Sequence, residues 1–484
     1  MSEPEFLSRG IDYLGDLGAK LRDLRGYRTL AHELIQNADD AEGAASMSVD
    51  VSDDALVVDN DGVFSDCQHI RNAECPWKED GTHGHRCDFH RFRKIFAGDK
   101  RGEPDTTGAF GIGFIAVYQV TDRPELISAG RHWTLHEEED ESRRIEVCPG
   151  CPKCTPPGLP GTRFVLPWAR DAASELRQRL QAESVPADGP SRILEELKQT
   201  LPVAMLFLKR LRTVEIKQAG RPAGSFQRVD HADSLIVTDG NPQNDQIWHI
   251  ARGDFANAAD VLRARHPGRI EKKRSSQVTI AVPAGAFSSG LLCACLPTEQ
   301  RVGLPFHVNA DFFTTNDRKS VILSDDFQSD WNREALRAAS LALGGAVGQL
   351  PALLGAARFW GLVSTLKEVA DALEKSSGEL TLAGFWKVCE PRLRTVPTIY
   401  TTDNRWTTCG DATLLLQREE AGVISTLEGL GVNVVHEDLR PYQSLLRAEA
   451  VGVSVLNIER LCVALRAQGM DYRTELNALC AFRS

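Results

Sequence analysis

Apolar positions recur at helical spacing over residues 11–23 and 27–42, which predicts helices near the start of the chain. Residues 47–51 and 56–58 read as short strands, and residues 110–120 as a helix entered through glycines. The segments 126–128, 132–135, 144–147 and 163–166 look like strands separated by loops. Helices and strands without regular β–α–β alternation point to a two-layer α/β sandwich.

After a break near Pro167 to Asp171, residues 173–182 and 193–211 are helical in pattern. Residues 213–217, 247–251, 278–282 and 291–296 are strand-like, and 306–314 closes this second unit. A third opens near Asp326 with helical patterns over 332–350 and 362–374; its tail, 395–470, mixes short strands with helices. The expected organisation is a domain over 1–170, a second α/β domain over 171–325, and a largely helical region over 326–484. The acidic run Glu137 to Glu141 reads as a solvated connection. Trp331, Trp360, Trp386 and Trp406 read as packing residues, as do Cys293 and Cys295.

Composition changes this picture little. The chain has 484 residues, 42% apolar and 25% charged, which suits a large core and excludes wholesale disorder. Acids outnumber bases 67 to 56, for a formal charge of −11. That disfavours a mainly phosphate-tracking nucleic-acid binder while leaving room for a local basic patch. No stretch approaches the roughly 18 apolar residues of a membrane span, and the first ten residues lack an apolar signal core. The expectation is a cytoplasmic protein with no membrane contact.

Three segments carry candidate chemistry. In the first, His32 to Ala41, a helix at about 100° per residue places Glu33, Asn37 and Asp40 within about 60° of one another. Leu34, Ile35, Ala31 and Ala38 fall on the opposite side, free to pack on a sheet. A carboxylate can orient and deprotonate water, and an amide oxygen can hold Mg²⁺. A solvated polar face explains the same pattern. In the second segment, a strand runs into Asp59-Asn60-Asp61-Gly62; a carboxylate there can accept from an adenine amino group, and an Asx turn is the plain alternative. In the third, Gly108, Gly111 and Gly113 allow close backbone approach to an anion at a helix start. The spacing is not that of the dinucleotide fingerprint.

Taken together, HELIQNADDAE, NDGVF and TGAFGIGFIAVYQVTDRP resemble the GHKL ATPase superfamily, which includes the ninety-kilodalton heat-shock chaperone. The resemblance is closest to its sacsin-type branch. It is strong over about residues 20–170 and weaker to about 322, through Pro160 to Phe164, Leu304 to Asn309 and Asn316 to Ser320. The resemblance implies a two-layer Bergerat-fold sandwich followed by an α/β transducer-like domain. It implies an ATP site in which Glu33 is the general base, Asn37 ligates Mg²⁺ and Asp40 lines the pocket. Asp61 would read adenine with Gly62 beside it, Asp59 being its rival, and Thr162 would support the adenine side. Gly108, Gly111 and Gly113 would form a lid, and Lys100 would reach a phosphate. Arg318 or Lys319 would approach the γ-phosphate as an arginine finger does.

The implied function is Mg-dependent ATP binding and hydrolysis driving a conformational switch. Its output would be a bacterial anti-phage defence complex or chaperone-like remodelling, with a protein partner or effector subunit and a homodimer both compatible. A non-hydrolysing nucleotide scaffold and a MutL-like nucleic-acid clamp are the rivals.

Of 12 cysteines, those at 67, 75, 87, 148, 151 and 154 are crowded into the first third. In a reducing compartment such clusters more often bind metal than form disulfides. Cys67, Cys75, Cys87 and His90 offer three thiolates and an imidazole, which suit tetrahedral Zn²⁺; buried free thiols are the alternative. Cys148, Cys151 and Cys154 form a CxxCxxC that needs a fourth ligand: His132, His136 or a thiol of the first cluster. Iron–sulfur binding is the other metal chemistry such spacing allows.

Overall fold

The computed structural model describes residues 12–78, 80, 83, 85–94, 113–154, 161–285, 289–315, 317–324, 326–376, 381–417 and 421–467. Helix α1 (Tyr13–Asp23) starts at Asp12, whose carboxylate accepts the Gly15 N–H at 3.1 Å and satisfies a donor the helix start leaves open. Helix α2 (Tyr27–Asp40) starts at Gly26, whose φ of 121° a side chain would resist. Strands β1 (Ser46–Val51) and β2 (Ala55–Asn60) follow, then a long connection whose described residues include the five-residue helix α3 (Asp88–Phe92) and a 3₁₀ turn. Residues Gly113–Gln119 form a 3₁₀ helix where a longer helix was expected; the rest of that segment lies outside the described residues. Strands β3 (Glu125–Ser128), β4 (Arg131–Leu135), β5 (Ile145–Val147) and β6 (Thr162–Pro167) match the sequence pattern closely.

Helices α4 (Glu175–Leu180) and α5 (Gly189–Ala204) come next. The apolar pattern runs on to Leu211, but the helix stops at Ala204. The reason is tertiary: the Asp39 carboxylate takes the backbone N–H groups of Lys209, Arg210 and Leu211 at 2.8–2.9 Å. These donors would otherwise point along a helix.

Strands β7 (Thr213–Gln218), β8 (Arg221–Asp230), β9 (Ser234–Thr238) and β10 (Gln246–Asp254) form a meander. β8 is exposed or half-buried throughout and shows no alternating core face, so its pattern was silent in the sequence. Helix α6 (Ala256–Arg265), also not anticipated, leads to β11 (Gln277–Pro283), β12 (Leu291–Ala294), β13 (Leu296–Arg301) and β14 (His307–Ala310). The single strand expected over 291–296 is broken at Cys295. Its φ of 66° folds β12 back on β13, and its N–H is held by Asn309 Oδ1 at 2.8 Å. Both Cys293 and Cys295 are buried in the core.

All these strands make one 14-stranded mixed sheet, ordered β13-β12-β14-β11-β10-β9-β8-β7-β1-β2-β6-β3-β4-β5. The seam is a parallel pair between β1 and β7. One core lies between the sheet and α1, α2, α4 and α5, and includes Leu30, Ile35, Val49, Val58, Leu197 and Ile216. A second packs Val278, Ile280 and Val282 of β11 against α7 (Phe327–Ala346), which begins with an Asp326/Ser329 capping box. Ala281, on the other face of β11, belongs to the first core, so this half of the sheet is covered on both sides.

Beyond α7 the helices Leu350–Leu354, Ala356–Ser376 and Gly384–Thr395 join the second core, with Trp331 and Trp360 fully buried. A two-stranded and a three-stranded sheet make the tail mixed. The acidic run is not a solvated connection at its start. Glu137 is buried and accepts the hydroxyls of Tyr13 and Tyr118 at 2.5 Å, and Glu138 pairs with Arg123. Among the described residues no helix is long and apolar enough to cross a membrane.

Candidate functional site

Helix α2 packs its apolar side into the first core and leaves Glu33, Asn37 and Asp40 along one edge. Glu33 is 3% exposed, Asp40 is buried, and Asn37 is half-buried. The 3₁₀ helix that follows the glycine segment runs beside α2. Its first residue, Gly113, lies so close to Glu33 that an added Cβ would overlap the carboxylate. Any larger residue there would force the Glu33 side chain or the 3₁₀ helix to shift, by contact and not by backbone angle. Gly108, Gly111 and Lys100 lie outside the described residues.

Arg318 reaches α2 from the turn after β14. Its guanidinium lies 3.1 Å from Glu33 Oε1 and also donates to Gln36 Oε1. Arg318 holds a φ of 56°, an unfavourable angle for a residue with a Cβ, which the turn enforces. Asp317 shapes that turn by accepting the Lys319 N–H and the Thr315 hydroxyl. Lys319 points elsewhere, 3.8 Å from Glu299. Of the two cations, Arg318 is the one at α2.

At the end of β2 the sheet register sorts the acidic residues. Asn60 pairs directly across from Thr162 on the core-facing side, and Asp59 pairs across from Arg163 on the other. The structure thus separates Asp59 from the group: Arg163 holds its carboxylate through two bonds of 2.7 and 2.8 Å on the face away from α2. Strand alternation is the reason, because neighbouring residues point to opposite faces. Asp61 sits at the turn and accepts the N–H groups of Ala45 and Ser46 at 2.7 and 2.9 Å. Burial pushes its carboxyl up, but these donors outweigh it and hold the pKa below the usual carboxylate value. Gly62 packs against Ala41 at the end of α2. Its carbonyl accepts the Thr162 hydroxyl at 2.8 Å, and Thr162 contacts the Ser128 hydroxyl at 2.8 Å.

Several residues were not singled out from the sequence. Asn60 is buried beside Thr162, and its Oδ1 accepts the Gly62 N–H. Ser128 links Thr162 to the N–H of Phe64. His32 is buried next to Glu33, with Nε2 lacking a partner among the described residues. Burial, then the charges of Arg28 and Arg318, push its pKa down to about 3. Asn60 and Ser128 could have been found only from register, which no local pattern gives. A cavity of about 1320 Å³ lies to one side near Tyr13, Arg93, Arg131 and Trp133, and none of these α2 residues lines it.

The cysteines assemble into two sets whose donor atoms all lie within 4.8 Å of one another: Cys67, Cys75, Cys87 and His90; and His132, Cys148, Cys151 and Cys154. The first is fully buried and the second half-buried. His132, left open among three alternatives, is the histidine of the second set. His136 instead pairs with Glu146 at 2.9 Å. Such Cys/His sets could bind a metal such as zinc.

Residues 21–138 match the family model of the Sacsin domain. The chain is similar to human Sacsin, at 22% identity over 391 residues, covering 64% of this chain and 8% of that protein. It is also similar to Protein NO VEIN of Arabidopsis thaliana, at 22% identity over 319 residues, covering 62% of this chain and 10% of that one. The chain therefore spans about a tenth or less of the curated relatives it matches. A crystal structure of the N-terminal domain of a DNA repair protein aligns with 66% of this chain and 98% of its own, at 10% identity and a TM-score of 0.34.

Proposed function

We propose that the chain binds ATP with Mg²⁺ at the edge of α2 and hydrolyses it, as a Bergerat-type site of the GHKL kind. The observation that carries this reading is the convergence on Glu33: a buried carboxylate, a glycine pressed against it, and an arginine delivered from the distant β14 turn. A solvated helix face would need none of these. The donor set also fits the groups concerned. Asn37 offers an amide oxygen to Mg²⁺, which neutralises phosphate charge when bound. Gly62 and Thr162 support the base side beside Asn60 and Asp61.

In this reading Glu33 takes the proton of the attacking water. Arg318 leaves Glu33 for the γ-phosphate and stabilises the charge that develops there. Its move changes how the β14 turn sits on α2, which makes nucleotide state a switch for domain docking. The Sacsin-domain match over 21–138, which contains α2 and β1 to β4, supports this assignment of the region. A protein partner that reads the switch, whether in defence or in remodelling, belongs to the same proposal.

The test is Glu33→Gln in the full chain. Mg-ATP turnover should fall by at least about 100-fold while ATP binding, followed by calorimetry, persists. Unchanged turnover would remove Glu33 from the mechanism. The Arg318–Glu33 pair also favours a second reading, a nucleotide scaffold whose carboxylate stays occupied. Wild-type chain that binds ATP without turnover would select it.

A further inference from the structure

We propose that the chain holds two Zn²⁺ ions as closed structural sites on opposite faces of β4, with His132 completing the second. The spacing of the donors is the first argument. Tetrahedral bonds of zinc to thiolate and imidazole place sulfurs about 3.8 Å apart and sulfur and nitrogen about 3.5 Å apart. In the first set His90 Nδ1 lies 3.4 Å from Cys67 Sγ and 3.2 Å from Cys87 Sγ. In the second, His132 Nδ1 lies 3.4 Å from Cys151 Sγ, and Cys151 Sγ lies 3.7 Å from Cys154 Sγ. These are edge lengths of a tetrahedron around an ion.

The second argument is the outer ring of contacts. Both histidines turn Nδ1 toward the thiols and Nε2 toward a carbonyl or carboxylate. His90 Nε2 is 3.2 Å from the Asn72 carbonyl, and His132 Nε2 is 3.1 Å from Glu125 Oε2. A metal-bound imidazole is oriented in this way, with its remaining N–H donated to an acceptor. Backbone N–H groups point at sulfur in both sets, Cys87 to Cys75 at 3.3 Å and Cys151 to Cys154 at 3.4 Å. Three thiolates and one Zn²⁺ leave a net negative site; Lys153 lies 3.3 Å from Glu125 beside the second.

The placement says what the metals do. Trp133 packs with Cys67, Cys75 and Cys87 in one small core, whereas its neighbour His132 points through the other face of β4. Among its described residues the segment between β2 and α3 has little regular structure and buries few apolar side chains, so a metal supplies the cross-link that packing does not. The second ion pins the turn after β5 to the same strand. Burial makes the sites unequal, the first sealed and the second open to reagents.

Full-length protein, dialysed against a weak chelator, should contain two zinc ions per chain by elemental analysis. Titration with a mercurial thiol reagent and a chromogenic zinc indicator should release them in two steps, the half-exposed site first. Cys151→Ser combined with Cys154→Ser should leave one zinc. Glu125→Gln, which removes no ligand, should weaken zinc binding at the second site by about 10–100-fold and leave the first unchanged. Wild type without stoichiometric zinc, iron in its place, or two ions retained in the double variant would overturn the proposal.

Discussion

Arg318 Nη2 lies 3.1 Å from Glu33 Oε1, joining the turn after β14 to the middle of α2. Glu33 is buried and Arg318 only partly so, which makes the arginine the member free to leave. Arg318→Ala is therefore expected to lower Mg-ATP turnover by about 100-fold or more, measured at saturating nucleotide. Lys319→Ala, on an exposed side chain directed at Glu299, should leave turnover within about twofold. Equal effects of the two would contradict the geometry.

Gly113→Ala places a methyl group where the Glu33 carboxylate sits. Either the carboxylate or the 3₁₀ helix must shift. Overpacking of this kind costs about 1–3 kcal/mol, so a lowered denaturation midpoint is expected together with loss of turnover. A variant of wild-type stability and rate would show that the contact is not tight in solution.

Asp39 is 1% exposed and receives the N–H groups of Lys209, Arg210 and Leu211. Asp39→Ala leaves those donors without their acceptor. A loss of about 3 kcal/mol in unfolding free energy is expected, since bonds to a charged group are worth about 1.5–3 kcal/mol each and do not add fully. Urea denaturation of the two proteins measures it.

Acid sensitivity follows from buried imidazoles. The pKa of His32 is pushed down to about 3 and that of His307 to about 4, in each case first by burial. His307 Nδ1 also accepts the Leu291 N–H at 3.0 Å, which requires the neutral ring. The unfolded chain takes up these protons near pH 6.5, and the folded chain does not until well below. Their contribution is complete above about pH 6.5 and is lost as the pH falls toward those folded values, by up to about 1.4 kcal/mol per pH unit per group. His32→Gln should therefore flatten the fall in stability between pH 6 and pH 4 relative to wild type. An unchanged slope would mean that His32 is protonated in the fold.

The local frame is legible in residue spacing alone. Helical spacing placed α1 and α2, and alternation placed β1 to β6, because each face of such an element must find either core or water. The same spacing put Glu33, Asn37 and Asp40 on one edge, and the cysteine pattern named the thiols of both clusters. Which partners meet depends on the folded chain. Register put Asn60 rather than Asp59 beside Thr162. A carboxylate on α2 ended the α5 pattern early, and Glu137 found two tyrosines where a run of acids suggested water. His132 joined Cys148, Cys151 and Cys154, and Arg318 joined Glu33. These relations depend on strand pairing and on turns far apart in the chain, whereas periodicity records only the environment of a residue's own element.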